Sequence, residues 1–211
     1  IICYFHNLKF DGSFWIDYLI KQGYQQAFIV NPSEQYSVSW LKEKDMNFRS
    51  FKYSISDKGQ WYSITIRLGN GKFIELRDSL KLLPFSVKTI GESFKLKHRK
   101  LEMEYKGLRY AGCEITAEEI EYIKNDVLVI KEAIEFMFAE GHNKLTIGSC
   151  CMEEYKNIFE HETVYEWEQM FPNLYEFKID KSIYGVSNAG EYVKKSYKGG
   201  WCYAVKGKTG I

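Results

Sequence analysis

An α/β domain with a mixed sheet is what this sequence predicts, on three observations. Residues 1–5 form an apolar run that reads as a buried strand; the chain turns polar at His6 and Asn7, and Phe14, Ile16, Leu19 and Ile20 then recur at helical spacing. Residues 60–68 and 72–76 alternate inward and outward side chains about Gly69-Asn70-Gly71, the pattern of a hairpin on the preferred two-residue Asn-Gly turn. Thr116 with Glu119 three residues later is a capping box; Ile120, Ile123, Val127, Ile130 and Ile134 supply a buried stripe behind it, and Gly141 closes a long helix. A hairpin beside a strand that runs into a helix belongs to the α/β class.

Composition narrows the function classes. At 211 residues the chain holds one sizeable domain or one and a half small ones. A formal net charge of +1 gives no global attraction to polyanions, so nucleic-acid binding would need a local basic patch or stacking rings. Rings are abundant, with 16 Tyr, 14 Phe and 5 Trp, and serve either as core payload or as base-stacking surface. No apolar run approaches the roughly 20 residues of a membrane span, and there is no signal-peptide pattern. The cysteines, Cys3, Cys113, Cys150, Cys151 and Cys202, are odd in number and lack a C-x-x-C pair. They argue against a zinc site or disulfide framework and suit a reducing cytosol. The chain opens at Ile1 in mid-strand, which reads as a piece of something longer.

In chain order, Asp11 stands at the first strand-to-helix junction, where side chains project beyond the sheet's end into a crevice. It is there either as a metal ligand or as the N-cap of a helix beginning near Ser13. Residues 23–44 read as irregular, with a short strand possible at 27–30. Asp78-Ser79-Leu80 reads as a strand exit into a helix, with Asp78 or Ser79 as cap. Lys95, Lys97, Arg99, Lys100, Lys106 and Arg109 make 94–110 the most basic stretch, ordinarily a solvated face. Tyr122 and Asp126, four apart, share one face of the long helix close to its first turns. A short helix follows within 146–159, residues 160–172 lack a clear period, and Tyr197-Lys198-Gly199-Gly200-Trp201 is by itself a Gly-Gly turn.

Five of these stretches resemble one family. FHNLKFDG, with Asn7, Phe10 and Asp11, resembles the second exonuclease motif of family B DNA polymerases, specifically of the protein-primed branch found in tailed bacteriophages and linear plasmids. Tyr122 and Asp126 match its third exonuclease motif, Tyr-x-x-x-Asp, and Ser79-Leu80 resembles its Ser-Leu contact to single-stranded DNA. Counted from the triplet Phe94-Lys95-Leu96, Lys100 falls where the family keeps a lysine that supports exonucleolysis, and Tyr105 where it has a tyrosine facing the single strand. Tyr197, Gly199 and Gly200 resemble the Tyr-x-Gly-Gly link between exonuclease and polymerase portions. Asp78 does not fit the spacing of the polymerase motif Asp-x-x-Ser-Leu-Tyr-Pro and is given no polymerase chemistry.

The resemblance implies a ribonuclease-H-like exonuclease fold, a mixed β-sheet flanked by helices, truncated at its N-terminal strands. Residues 1–145 would be a 3′–5′ exonuclease domain, incomplete because the family's first motif, Asp-x-Glu, is nowhere in the sequence; 146–211 would be a connecting region and the start of the polymerase domain. The implied function is part of a DNA-directed DNA polymerase that replicates from a protein primer and proofreads by two-metal phosphodiester hydrolysis, this segment alone being inactive. Hard cations need oxygen ligands, so Asp11 and Asp126 are the expected ligands of two divalent cations, Mg2+ or Mn2+. Tyr122 would orient water and Lys100 would offset phosphate charge. Asn7 and Phe10 would hold the frayed 3′ strand, with Tyr4, His6, Phe14, Ser79, Leu80 and Tyr105 as further contacts. The implied partners are a single-stranded 3′ end, primer–template DNA and a terminal priming protein, with no membrane, in the cytoplasm of a bacterial host cell and not secreted. Two other readings stand beside this one: a non-catalytic single-strand-binding module of the same fold, and a stand-alone 3′–5′ exonuclease.

Overall fold

A computed structural model of the chain describes residues 1–31, 37–104, 110, 112–162 and 166–196. Tyr105, Lys106, Arg109, Tyr197, Gly199 and Gly200 lie outside the described residues. The chain divides into two compact units, Ile1–Met152 and Glu153–Ile211.

The first unit is built on strands β1 (Ile2–Phe5), β2 (Gln25–Gln26), β5 (Ser50–Ile55), β6 (Trp61–Arg67) and β7 (Phe73–Asp78), in the order β1-β7-β6-β5-β2. β1 runs parallel to β7 and β2 parallel to β5, while β5, β6 and β7 form an antiparallel meander. The sheet is therefore mixed, as the alternation predicts. Because side chains alternate along a strand, the register makes one face apolar and the other polar. Cys3, Leu76, Ile64 and Tyr53 form a row on the first face, and Tyr4, Arg77, Ser63 and Ser54 a row on the second.

Helix α1 (Leu8–Lys21) covers the apolar face with Leu8, Trp15, Ile16 and Leu19, joining Phe51, Ile64, Ile66 and Leu76 in one core. The helix starts five residues earlier than the sequence predicts. Asn7 takes φ 78° and ψ 58°, a left-handed conformation that Asn tolerates, and its backbone N–H donates to Asp78 Oδ1 at 3.1 Å. Asp11 thus lies inside the first turn and caps nothing. Gly12 lets the helix approach the sheet, since a Cβ there would stand 2.6 Å from the Trp61 ring.

A second core joins α2 (Val87–Ser93), α3 (Ala117–Ala139) and the start of α4 (Ile147–Glu162) through Leu83, Ile90, Val129, Ile134 and Cys150. The capping box of Thr116 and Glu119 forms as read, and Gly141 at φ 86° follows the helix end. The expected stripe is half right: Ile130 and Ile134 are buried, whereas Ile120, Ile123 and Val127 are exposed. α2 is only seven residues long and packs around Val129, while the residues after it engage Tyr122, Asn125 and Asp126 on the earlier turns, a different side from Ile120, Ile123 and Val127.

Four other expectations change. The 1–5 run, which reads as a buried strand, is only partly buried: among the described residues β1 is outermost in the sheet, and Ile1 and Ile2 are exposed. The hairpin turns on a three-residue loop, Leu68 N–H donating to Lys72 O at 2.9 Å with Gly71 at φ 80°, because the left-handed position falls on the second glycine. The described residues of 23–44 hold more regular structure than expected: the strand expected at 27–30 is β3 (Phe28–Asn31), which pairs antiparallel with β4 (Ser37–Trp40), and Trp40 packs on Tyr53 at 4.5 Å. Residues 147–162 make one helix, preceded by Thr146, whose Oγ1 accepts from Ser149 N–H. In the second unit, Tyr155 and Phe159 meet Trp167 of α5 (Trp167–Met170), and α6 (Lys181–Tyr184) and α7 (Ala189–Ser196) follow.

Candidate functional site

Asp11 and Asp126, 115 positions apart in the sequence, line one cleft of about 800 Å³ between β1, α1, α2 and α3. Its walls are largely apolar, with Tyr4, Phe5, Val87, Ile130 and Phe138 among them, and His6 reaches in from the end of β1. Apolar walls raise the strength of any charge interaction inside.

Asp126 is divided between two environments. Its Oδ2 accepts from Lys100 Nζ at 2.9 Å, while its Oδ1 is buried without a hydrogen-bond partner. A carboxylate oxygen left buried and unpaired is costly, and it is what a hard cation requires. Lys100 also donates to the Tyr122 hydroxyl at 2.6 Å and stands 4.8 Å from the centre of that ring. Burial pulls the Lys100 ammonium down, but the hydrogen bonds to Tyr122 and Asp126 outweigh it and the net shift is upward. Lys100 is therefore a fixed positive charge at neutral pH. Among the described residues no three His, Cys, Asp or Glu side chains gather as a metal cluster. Asp11 and Asp126 are the two carboxylates that line the cleft, and Oδ1 of Asp126 is its buried, unpaired oxygen.

Along α1 the sequence separates two stripes. Leu8, Gly12 and Leu19 are buried, while Asn7, Phe10, Asp11 and Phe14 follow one another at helical spacing on the other side. Phe10 and Phe14 are 67% and 65% exposed and meet edge to face at 5.7 Å, an aromatic surface beside the Asp11 carboxylate. The Asn7 side chain makes no cap hydrogen bond and faces solvent.

Other expected contacts are placed differently. Ser79 is fully buried; its hydroxyl donates to Phe5 O at 3.1 Å and stands 2.9 Å from His6 Nδ1, so it braces the site from behind and does not present itself to a strand. Leu80 is half-buried beside it. Tyr4 is half-buried, its ring against Phe138 and its hydroxyl 3.5 Å from Arg77. His6 Nε2 donates to Phe85 O at 2.8 Å, and burial is the main cause that lowers its pKa, with the Phe85 carbonyl, Asp78 and Asp126 opposing. Lys95, Lys97 and Arg99 are exposed, a solvated face as read.

Of the two candidate caps, Asp78 is the one that caps, and it does more. Buried at 3% exposure, its Oδ1 accepts from both Leu80 N–H and Asn7 N–H at 3.1 Å, tying the start of α1 to the end of β7. Sequence reasoning also missed His98, Asn125 and Glu132, which hold the segment carrying Lys100. No spacing rule joins a loop histidine to a glutamate 34 residues on.

A mixed sheet with flanking helices, bringing two acids from separate elements to one cleft, is the ribonuclease-H-like exonuclease arrangement. The family model described as DNA polymerase type B, organellar and viral, matches residues 1–113, and the chain belongs to that family. It is 37% identical over 204 residues to the DNA polymerase of Bacillus phage Nf and 36% identical over the same length to that of Bacillus phage phi29. Each match covers 95% of this chain and 30% of the relative, so the chain spans about a third of the length of these polymerases. Phi29 DNA polymerase complexed with primer-template DNA and incoming nucleotide superposes with a TM-score of 0.71 at 32% identity, over 97% of this chain and 32% of that one. The same enzyme complexed with single-stranded DNA gives a TM-score of 0.69 at 32% identity, with the same coverage. No helix among the described residues is long and apolar enough to cross a membrane.

Proposed function

We propose that this chain supplies the 3′–5′ exonuclease part of a protein-primed DNA polymerase, removing nucleotides from a frayed 3′ end, and that residues 146–211 lead toward the polymerase domain. The observation that carries this reading is the divided Asp126 carboxylate, one oxygen held by Lys100 and the other buried and unpaired in a cleft shared with Asp11. Two divalent cations, Mg2+ or Mn2+, held by Asp11, Asp126 and further acids, would supply an activated water and stabilise charge on the leaving oxygen. The chain's own residues do the rest. Lys100 places a permanent positive charge beside the scissile phosphate, and the Tyr122 hydroxyl orients water. Asn7, Phe10 and Phe14 receive the last bases of the single strand, by hydrogen bond and by stacking, with Tyr4 and His6 at the cleft wall and Tyr105 as a further contact.

The phi29 polymerase complexes with primer-template and single-stranded DNA support the same substrates for this chain. The terminal protein that primes, and action in the interior of a bacterial host cell, complete the proposal. The test is made in the polymerase that carries this segment. Asp11→Ala and Asp126→Ala each abolish metal-dependent shortening of a labelled single strand while nucleotide incorporation persists. Full shortening in either variant overturns the assignment.

A further inference from the structure

Lys100 sits on a segment with no helix or strand of its own, yet its ammonium is placed on two acceptors at once. The segment is laced backward along α3. Lys95 at φ 51° turns the chain away from α2. The Phe94 ring then meets Phe136 edge-on at 5.4 Å. His98 Nδ1 lies 2.5 Å from Glu132 Oε1 while its backbone N–H donates to Glu132 Oε2 at 3.3 Å. Asn125 Nδ2 donates to Arg99 O at 2.5 Å, and Lys100 reaches Asp126 and Tyr122. Successive loop residues thus engage successively earlier turns of the helix.

We propose that His98 and Glu132 form a clasp that sets the position of Lys100 on Tyr122 and Asp126, making both of them positioning residues for phosphodiester cleavage. The inference rests on the exonuclease reading above. Glu132 grips one residue by both ring and backbone, so it fixes direction as well as distance. The two side chains are 28% and 24% exposed, which separates this pair from the solvated pair of Lys131 and Glu135 one position away. The His98 hydrogen bond is the main cause holding the Glu132 carboxyl below its usual range. Nδ1 needs only to carry a proton to donate, which the neutral ring satisfies, so the clasp does not depend on a charged histidine.

The test uses Glu132→Ala, His98→Ala, the double variant and Glu132→Gln in the polymerase carrying this segment, reading single-turnover shortening, single-strand Kd, melting temperature and amide exchange across 96–101. Misplacing a catalytic group by about 1 Å costs up to about a hundredfold in rate. The expected result is a ten- to hundredfold lower rate at saturating DNA in each alanine variant, with Kd and melting temperature unchanged. Exchange across 96–101 becomes faster, the double variant is no slower than either single one, and Glu132→Gln, which keeps an acceptor for Nδ1–H, restores most of the rate. A wild-type rate in Glu132→Ala, additive losses in the double variant, or loss of Kd in step with rate overturns the clasp. Asp126→Ala runs alongside. If it retains shortening, the site assignment fails, while the exchange result still decides whether Glu132 holds the segment.

Discussion

Lys100 Nζ donates to Asp126 Oδ2 at 2.9 Å and leaves Oδ1 of the same carboxylate buried and unpaired. The ammonium neutralises one side of the group and fixes its rotation, so the other oxygen is aimed. Lys100→Ala is expected to slow shortening of a single strand on the order of a hundredfold while leaving nucleotide incorporation intact, since a preorganised charge is lost and no binding surface is. Single-turnover kinetics at saturating DNA check it. Equal loss of both activities would mean that Lys100 supports the fold and not the site.

Tyr122 and Phe10 offer a separation of roles. Tyr122→Phe removes only the hydroxyl that Lys100 engages and is expected to lower the exonuclease rate with single-strand affinity unchanged. Phe10→Ala removes an exposed ring and is expected to weaken single-strand binding by about 1–3 kcal/mol. Titration of a labelled oligonucleotide beside rate measurements distinguishes them, and parallel effects of the two changes would refute the roles.

Gly12 is where the fold and the site touch. Its Cβ would lie 2.6 Å from Trp61 Cζ3 and 3.4 Å from Ile64 Cδ1, so Gly12→Ala forces the ring or the helix to move. A destabilisation of about 1–3 kcal/mol is expected from overpacking, read by chemical denaturation. Exonuclease activity should drop with it, because Asp11 is the preceding residue of the same turn.

His6 predicts a pH dependence. Burial lowers its pKa below the unfolded value of about 6.5, so between those two values the unfolded chain binds more protons. Stability from this group is therefore complete above about pH 6.5 and declines as pH falls through the folded pKa. Melting temperatures measured from pH 7 to pH 5 should fall more steeply in the wild type than in His6→Gln. An identical slope in both would assign the acid sensitivity to other groups.

The elements legible in the sequence were those with short-range causes. The capping box at Thr116, the hairpin around Gly69-Asn70-Gly71 and the face shared by Tyr122 and Asp126 depend on residues within a few positions of each other, and all three form. The start of α1 was misplaced because its cause is 71 positions away, in the Asp78 carboxylate that holds Asn7 left-handed. Ile120, Ile123 and Val127 have the right period but are exposed among the described residues, since periodicity reports which side could be buried and not what covers it. Lys100 was identified by position relative to a motif, whereas the His98 and Glu132 contact that holds its segment is tertiary and has no local signature.

The bond from Asn7 to Asp78 also bears on how this site could be moved. A graft carrying only residues 4–14 into another α/β scaffold would take along the acid and the aromatic surface but not the buried carboxylate that starts the helix. Freed of it, Asn7 would relax toward ordinary backbone angles, the first turn would unwind or rotate, and Asp11 would point elsewhere. The smallest portable form of this centre is therefore a two-part cassette, in which the turn after β7 travels with the turn after β1.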